Sequence, residues 1–289
     1  MHKNGSFIYL QLVAIGRAAN PKILQEKGGY PLVAPSPIPL PTKADDKASS
    51  TSAPPPIPRA LTVEEIGEYV RLYATAAENA VLGAGFDGVE IHAANGYLPD
   101  QFMQTNSNSR TDEYGGSVRN RARFVLEVAG AMARAVGAEK VGIRLSPWLT
   151  FQGEASLLSG LFSALGWTEG FPIVSSSTLP GMGMPDPIPT FSEVVTRIRD
   201  DHPGFAYIHA LEPTTDHRPD GETGTGRNGD SNKFLRDIWG DRPFIANYDF
   251  GRDRAIEMVE KEGGLVSFGR HFISNVSKTA PVIGTSANS

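Results

Sequence analysis

Hydrophobic positions along this chain fall into two alternating kinds of segment. Short runs rich in β-branched and aromatic residues, at 6–15, 86–91, 140–146, 205–211, 243–249 and 264–269, predict strands. Longer stretches between them carry apolar residues three and four apart, with readable helix starts. "LTVEEIGEYVRLYATAAENAVLGAG" opens on a capping box, Thr62 with Glu65, and stops at Gly83 and Gly85. Ser117 is placed to cap "VRNRARFVLEVAGAMARAVG". A second capping box, Thr190 with Glu193, predicts the start of "FSEVVTRIRDD", which Pro203-Gly204 closes. Shorter helices are expected at 232–239 and 252–261.

The strands are predominantly apolar rather than strictly alternating, which predicts a parallel sheet covered by helices on its outer face. Two α/β architectures have that form, a (β/α)8 TIM barrel and a doubly wound sheet. No Gly-x-Gly-x-x-Gly follows an early strand, which weakens the dinucleotide-binding version of the second. Six strands are visible where a closed barrel has eight. The expectation is an incomplete TIM barrel over residues 1–275 whose first two strands are missing, the absent pair lying upstream of Met1. Residues 34–59 are Pro/Ser-rich and predict a solvated loop. Residues 153–181 hold two acids, no base and no sustained period, and predict an insertion. Residues 276–289 predict a disordered tail.

Composition narrows the function classes. The 289 residues carry a net charge of -5 and a pI near 5.7. There is no basic excess to neutralise phosphates, so nucleic acid is not the expected partner. The chain has no cysteine, hence no zinc-thiolate site and no thiol nucleophile, and a reducing, cytoplasmic location is expected. No apolar run is long enough for a membrane helix. The opening "MHKNGSFIYLQLVAIG" superficially resembles a signal peptide, but Gln11 interrupts it and no small-x-small site precedes Arg17, so it reads better as a buried strand.

The chemistry concentrates in "IHAANGYLPDQF", residues 91–102, where a strand gives way to a turn. In a parallel barrel, functional side chains project from the carboxyl ends of strands. An imidazole (His92) and a carboxamide (Asn95) can both hydrogen-bond one oxygen that gains negative charge, each such donor contributing about 3 kcal/mol when preorganised. A phenol (Tyr97) is a weak acid suited to protonating carbon. The plainer reading of the same residues is a strand cap, an Asn-Gly turn and a packing aromatic. A barrel isomerase or aldolase would want a lysine or paired carboxylates at strand ends, and neither pattern is visible.

Residues 85–128, "GFDGVEIHAANGYLPDQFMQTNSNSRTDEYGGSVRNRARFVLEV", closely resemble the Old Yellow Enzyme family, of fungal type. The match lies in the His-x-x-Asn-x-Tyr triplet, then "NSRTDEYGGS", then "NRARF", and extends loosely to "FIYLQL", "VGIRLSPW", "YIHALEP" and "FGRHFISN". The resemblance implies a barrel holding FMN, reduced by NAD(P)H, that passes hydride from flavin N5 to an activated alkene such as an enone. It implies that His92 and Asn95 hold the substrate's carbonyl oxygen and that Tyr97 donates the proton. It further implies flavin contacts from Gln11 at the pyrimidine edge, Arg144 near N1 and the C2 oxygen, and a phosphate grip from Gly269 and Arg270. "RTDEYGGS" is expected to brace a loop and cap a helix rather than act chemically.

The chain also departs from that pattern. The Pro and Thr contacts to the flavin's N5 side have no counterpart, Val13 stands where relatives often carry an aromatic, and Asn247, Tyr248 and Asp249 replace a Gly-rich turn. Excising 153–181 restores the pattern, as a retained intron would. These departures predict an alternative: an incomplete gene product or decayed relative that holds FMN weakly or not at all.

Overall fold

Six parallel strands form one sheet in the computed structural model of the protein, which describes residues 1–40, 55–149, 182–213, 229–269 and 272. In chain order the elements are β1 (Tyr9–Leu12), α1 (Pro21–Gly28), β2 (Val33–Ala34), β3 (Arg59–Ala60), α2 (Val63–Glu78), β4 (Gly88–Ala93), α3 (Leu98–Met103), α4 (Val118–Val136), β5 (Val141–Leu145), α5 (Ile188–Asp201), β6 (Tyr207–Leu211), α6 (Lys233–Trp239), β7 (Phe244–Asn247), α7 (Arg252–Glu262) and β8 (Leu265–Ser267). The sheet order is β1-β4-β5-β6-β7-β8, every pair parallel, and β2 pairs with β3 separately. This is the α/β partial barrel that the hydrophobic pattern implies, with all six expected strands in place. Among the described residues β1 and β8 are paired on one side only. The expected insertion at 153–181, the tail at 276–289 and part of the 34–59 loop lie outside the described residues.

Side chains alternate along each strand, and the two faces differ in kind. Val89, Ile91, Ala93, Val141, Ile143, Leu145, Ile208 and Ala210 join the apolar core with α2, α4 and α5. The opposite parity carries Gln11, Glu90, His92, Arg144, His209, Asn247 and Ser267. Register pairs Gln11 with Glu90, His92 with Arg144, Arg144 with His209, and Asn247 with Ser267. Two glycines give the inner rings their room. A Cβ on Gly88 would strike the Tyr9 ring, and one on Gly142 the Tyr207 ring; the two rings pack 5.5 Å apart.

Most local signals hold. Thr62 and Glu65 form the reciprocal capping box of α2, and the Ser117 side chain accepts the Asn120 N–H to cap α4. After Glu78 the chain continues for one π-helical turn, Asn79–Gly83. Three readings are corrected. His92 is the fifth residue of β4 rather than the first residue beyond it, because the strand runs on to Ala93. Thr190 does not cap α5: that helix begins at Ile188, where Pro187 and Pro189 pre-set the backbone and Asp186 accepts the Ile188 N–H at 3.2 Å. Buried Thr190 instead accepts Arg121 Nη2 at 2.8 Å. The Pro-rich stretch starts inside the fold, since Ala34 and Ser36 are buried and the Ser36 hydroxyl accepts the Ser109 N–H.

"RTDEYGGS" is a brace. Arg110 pairs with Asp112 at 2.6 Å and donates to the carbonyls of Pro35 and Leu61, joining the ends of β2 and β3 to the loop before α4. Among the described residues no helix is long and apolar enough to cross a membrane.

Candidate active site

The end of β4 turns abruptly, and three side chains emerge there. Asn95 adopts a left-handed conformation (φ 56°), which asparagine tolerates better than most residues, and Gly96 follows at φ 73°. The turn is tied from below. Asn95 N–H donates to Ser146 Oγ at 2.8 Å, and Gly96 N–H donates to Asp100 Oδ2 at 2.9 Å. The Ser146 hydroxyl in turn donates to the same Asp100 oxygen at 3.4 Å. Gln101 grips the turn from β1's side: its Nε2 donates to the Gly96 carbonyl at 2.6 Å and the Ile15 carbonyl at 3.0 Å. Tyr97 is the residue before α3, and its ring meets the His92 imidazole edge-on, centroids 4.7 Å apart at 86°.

His92 is 5% exposed and its Nδ1 has no hydrogen-bond partner among the described residues. Burial, followed by the neighbouring Arg144 charge, holds its pKa at about 3, so it is a neutral imidazole at ordinary pH. The Asn95 Oδ1 and the Arg144 Nε are likewise buried and unpartnered among the described residues. Burial raises the Tyr97 phenol while Arg144 pulls it back, which leaves it protonated at neutral pH. Unsatisfied buried polar atoms are costly unless something else satisfies them. Two of them on the adjacent strands β4 and β5 and the third on the turn after β4, at the carboxyl end of the sheet, make this a site prepared for a polar ligand.

Behind the turn, one chain of hydrogen bonds crosses all six strands. Arg144 Nη2 donates to Asn247 Oδ1 at 2.8 Å, and Asn247 Nδ2 donates to Ser267 Oγ at 2.7 Å. Ser267 Oγ lies 3.2 Å from His209 Nε2, and His209 Nδ1 lies 2.9 Å from Glu90 Oε2. Gln11 Nε2 donates to Glu90 Oε1 at 2.6 Å. Burial opposes the charge on Glu90, but the His209 and Gln11 hydrogen bonds and the nearby Arg144 charge outweigh it and hold the carboxyl at about 2. Both amide orientations are forced. Arg144 only donates, so Asn247 must offer it oxygen; ionised Glu90 only accepts, so Gln11 must offer it N–H.

The structure thus brings Gln11, His92, Asn95, Tyr97 and Arg144 together around the carboxyl end of β1, β4 and β5. Gly269 follows β8, exposed and with open space where a Cβ would stand. Arg270 lies outside the described residues. Asn247, which the sequence marks only as a departure from a Gly-rich turn, holds the Arg144 guanidinium, and Asp249 beside it is exposed. Sequence reasoning missed Glu90, Asp100, Ser146, His209 and Ser267. The signal for Glu90 and His209 was present as a polar residue at the inward parity of an otherwise apolar strand, two before His92 in "GVEIH" and central in "YIHAL".

A polar-lined α/β partial barrel with a neutral imidazole, a carboxamide, a phenol and a half-buried arginine at its carboxyl mouth is the framework of a flavin oxidoreductase. The chain belongs to the NADH:flavin oxidoreductase / NADH oxidase family, whose description matches residues 1–158, and within it to the Old Yellow Enzyme type. It is 41% identical over 279 residues to chanoclavine-I aldehyde reductase fgaOx3 of Penicillium roqueforti, covering 95% of this chain and 63% of that one. It is 36% identical over 282 residues to the probable inactive dehydrogenase easA of Claviceps fusiformis, again covering 95% and 63%. The solved structure of Old Yellow Enzyme from Pichia sp. superposes with a TM-score of 0.70 at 31% identity, covering 96% of this chain and 62% of that one. The chain therefore spans less than two thirds of the length of each of these relatives. The family's cofactor is FMN and its reductant NAD(P)H.

Proposed function

We propose that this chain is an FMN-dependent NAD(P)H oxidoreductase that reduces activated C=C bonds of α,β-unsaturated carbonyl compounds. The observation that carries the reading is the buried His92 Nδ1 and Arg144 Nε, unpartnered among the described residues, with the Asn95 carboxamide on the adjoining turn, beside a protonated phenol. These residues fit a flavin ring: Arg144 offers a cation for an anionic reduced ring at N1 and the C2 oxygen, and Gln11 offers an amide for the pyrimidine edge. Gly269 and Arg270 are assigned the phosphate. FMN, when bound, supplies hydride from N5 after reduction by NAD(P)H.

The chain's own residues do the rest. A ring N–H of His92 and the Nδ2 amide of Asn95 donate to the substrate's carbonyl oxygen, draining electron density from the alkene and stabilising the charge that develops on oxygen. Tyr97 then delivers a proton to the α-carbon, for which a phenol kept neutral by burial is suited. The partner is a small enone-type molecule.

Expression of the 289-residue chain, followed by a visible spectrum and an NADPH-consumption assay with cyclohexenone, tests this. Stoichiometric bound flavin and enone-dependent oxidation are expected. A colourless protein that gains no flavin from added FMN would favour the second reading, a catalytically silent relative. That reading draws on the sequence departures, on β1 and β8 being paired on one side only among the described residues, and on the relative described as probably inactive.

A further inference from the structure

We infer that Glu90 is the positioning residue that locks the Gln11 amide for the imide edge of the flavin, an inference that rests on the function proposed above. Gln11 sits on β1, where it is exposed and the strand is paired on one side only among the described residues, so no backbone pairing described there fixes which end of its carboxamide faces inward. Glu90 fixes it. The carboxylate is buried, accepts only, and takes the Gln11 N–H at 2.6 Å. Rotating the amide by half a turn would set a carbonyl oxygen against that carboxylate, in an interior where such repulsion is poorly screened. The locked amide keeps its carbonyl oxygen and one N–H uncommitted among the described residues. That is the complement of an N–H flanked by carbonyls, the arrangement at N3 of a flavin.

Glu90 is itself held. His209 binds its second oxygen, and through Ser267 and Asn247 the chain of bonds ends on Arg144. The guanidinium at one end thus sets the Asn247 amide, and the carboxylate sets the Gln11 amide beyond it. The same chain fixes the second group assigned to the flavin ring, so Glu90 orients the pyrimidine-edge contact as Asn247 orients the cation.

The test compares binding of FMN and of 3-methyl-FMN, which lacks the N3 proton, by fluorescence titration of the apoprotein. The wild-type chain is expected to prefer FMN by about tenfold or more, the range for leaving one buried hydrogen-bond partner unmatched. In Glu90→Gln the amide can turn, and the preference should fall to about twofold. Glu90→Asp retains the charge and the His209 pairing partner but draws the carboxylate back from Gln11, and should lose the preference as well; it serves if Glu90→Gln fails to fold. In Gln11→Ala the preference should vanish, and adding Glu90→Gln should change nothing further. A variant at Glu90 that weakens both flavins equally and keeps the ratio would overturn the inference, since that is what a merely structural carboxylate predicts. So would a wild-type chain that binds FMN without discriminating. A wild-type chain that binds neither flavin would sink the proposed function and this inference with it.

Discussion

Asp100 accepts the backbone N–H of Gly96 at 2.9 Å from a position with none of its surface exposed. The contact holds the turn that carries Asn95, and it has a consequence for pH. Burial pushes the Asp100 carboxyl up to about 7, against the pull of the Gly96, Gln104 and Ser146 donors and the Arg17 charge, whereas an unfolded aspartate titrates near 4. The folded chain therefore holds a proton there that the unfolded chain releases. Its contribution to stability is full below about pH 4 and is lost as pH rises through 7. His92 works the other way. Held at about 3 when folded and about 6.5 when unfolded, it contributes above pH 6.5 and its contribution is lost as pH falls toward 3. Between about pH 4 and 6.5 the two slopes offset each other, while Glu90, held at about 2, titrates below that window.

Two variants separate them. In Asp100→Asn, urea midpoints should rise from about pH 4.5 to about 6.5, because the His92 slope is no longer offset by Asp100. In His92→Gln they should fall over the same interval. Unchanged profiles in both variants would show that neither group titrates as its burial dictates.

Tyr97→Phe keeps the ring that packs edge-on against His92 and removes only the hydroxyl. With FMN bound, reduction by NADPH should proceed at its usual rate, while turnover of cyclohexenone falls by roughly 10² to 10⁴, the usual worth of a positioned acid. Stopped-flow separation of the two half-reactions makes the distinction. Equal slowing of both would assign Tyr97 to flavin binding instead.

Asn95→Ala removes an oxygen-binding carboxamide and leaves the phenol in place. A loss of roughly 10² in kcat/KM for the enone is expected. A ketone-bearing product analogue should weaken in parallel, by competition binding, while the same analogue without its carbonyl binds unchanged.

Arg121 ties three segments at once, donating to the Met103 carbonyl at 3.1 Å, to the Gly116 carbonyl and to Thr190 Oγ1. Arg121→Ala should cost about 3 kcal/mol in denaturant unfolding, the scale of lost bonds to a buried charge. Thr190→Val should cost about 1 kcal/mol. If Thr190 were only a helix cap, its replacement would leave the Arg121 contribution intact; the double-mutant cycle should instead show coupling.

Gly88 is required by its neighbours rather than by its backbone angles. A Cβ there would lie 2.5 Å from the Lys140 carbonyl oxygen as well as against the Tyr9 ring. Gly88→Ala should destabilise by about 1–3 kcal/mol, and Tyr9→Ala should recover only part of it, since the carbonyl stays. Full recovery would place the whole conflict in the aromatic ring.

The sheet was legible because parallel strands announce themselves as short apolar runs, and all six stand where those runs are. Caps at Thr62 and Ser117 were legible because their partners are three residues away. The Thr190 cap was misread because Pro187 and Pro189 start the helix earlier, and because its true partner, Arg121, is remote in sequence. The His92–Asn95–Tyr97 cluster was visible as one compact motif. Its supports were not: Asp100 and Ser146 hold Asn95 through contacts that depend on how β4, α3 and β5 meet. Glu90 and His209 are 119 residues apart, and only the stagger of the strands makes them neighbours.

Among described residues other than glycine, Asn95 alone has a positive φ. A residue without a side chain would sit more comfortably there, yet it would carry no carboxamide. Folding and ligand contact thus pull against each other at one position, so a screen that rewards thermal tolerance alone would drive this site toward glycine and select away the group proposed to grip the substrate's oxygen.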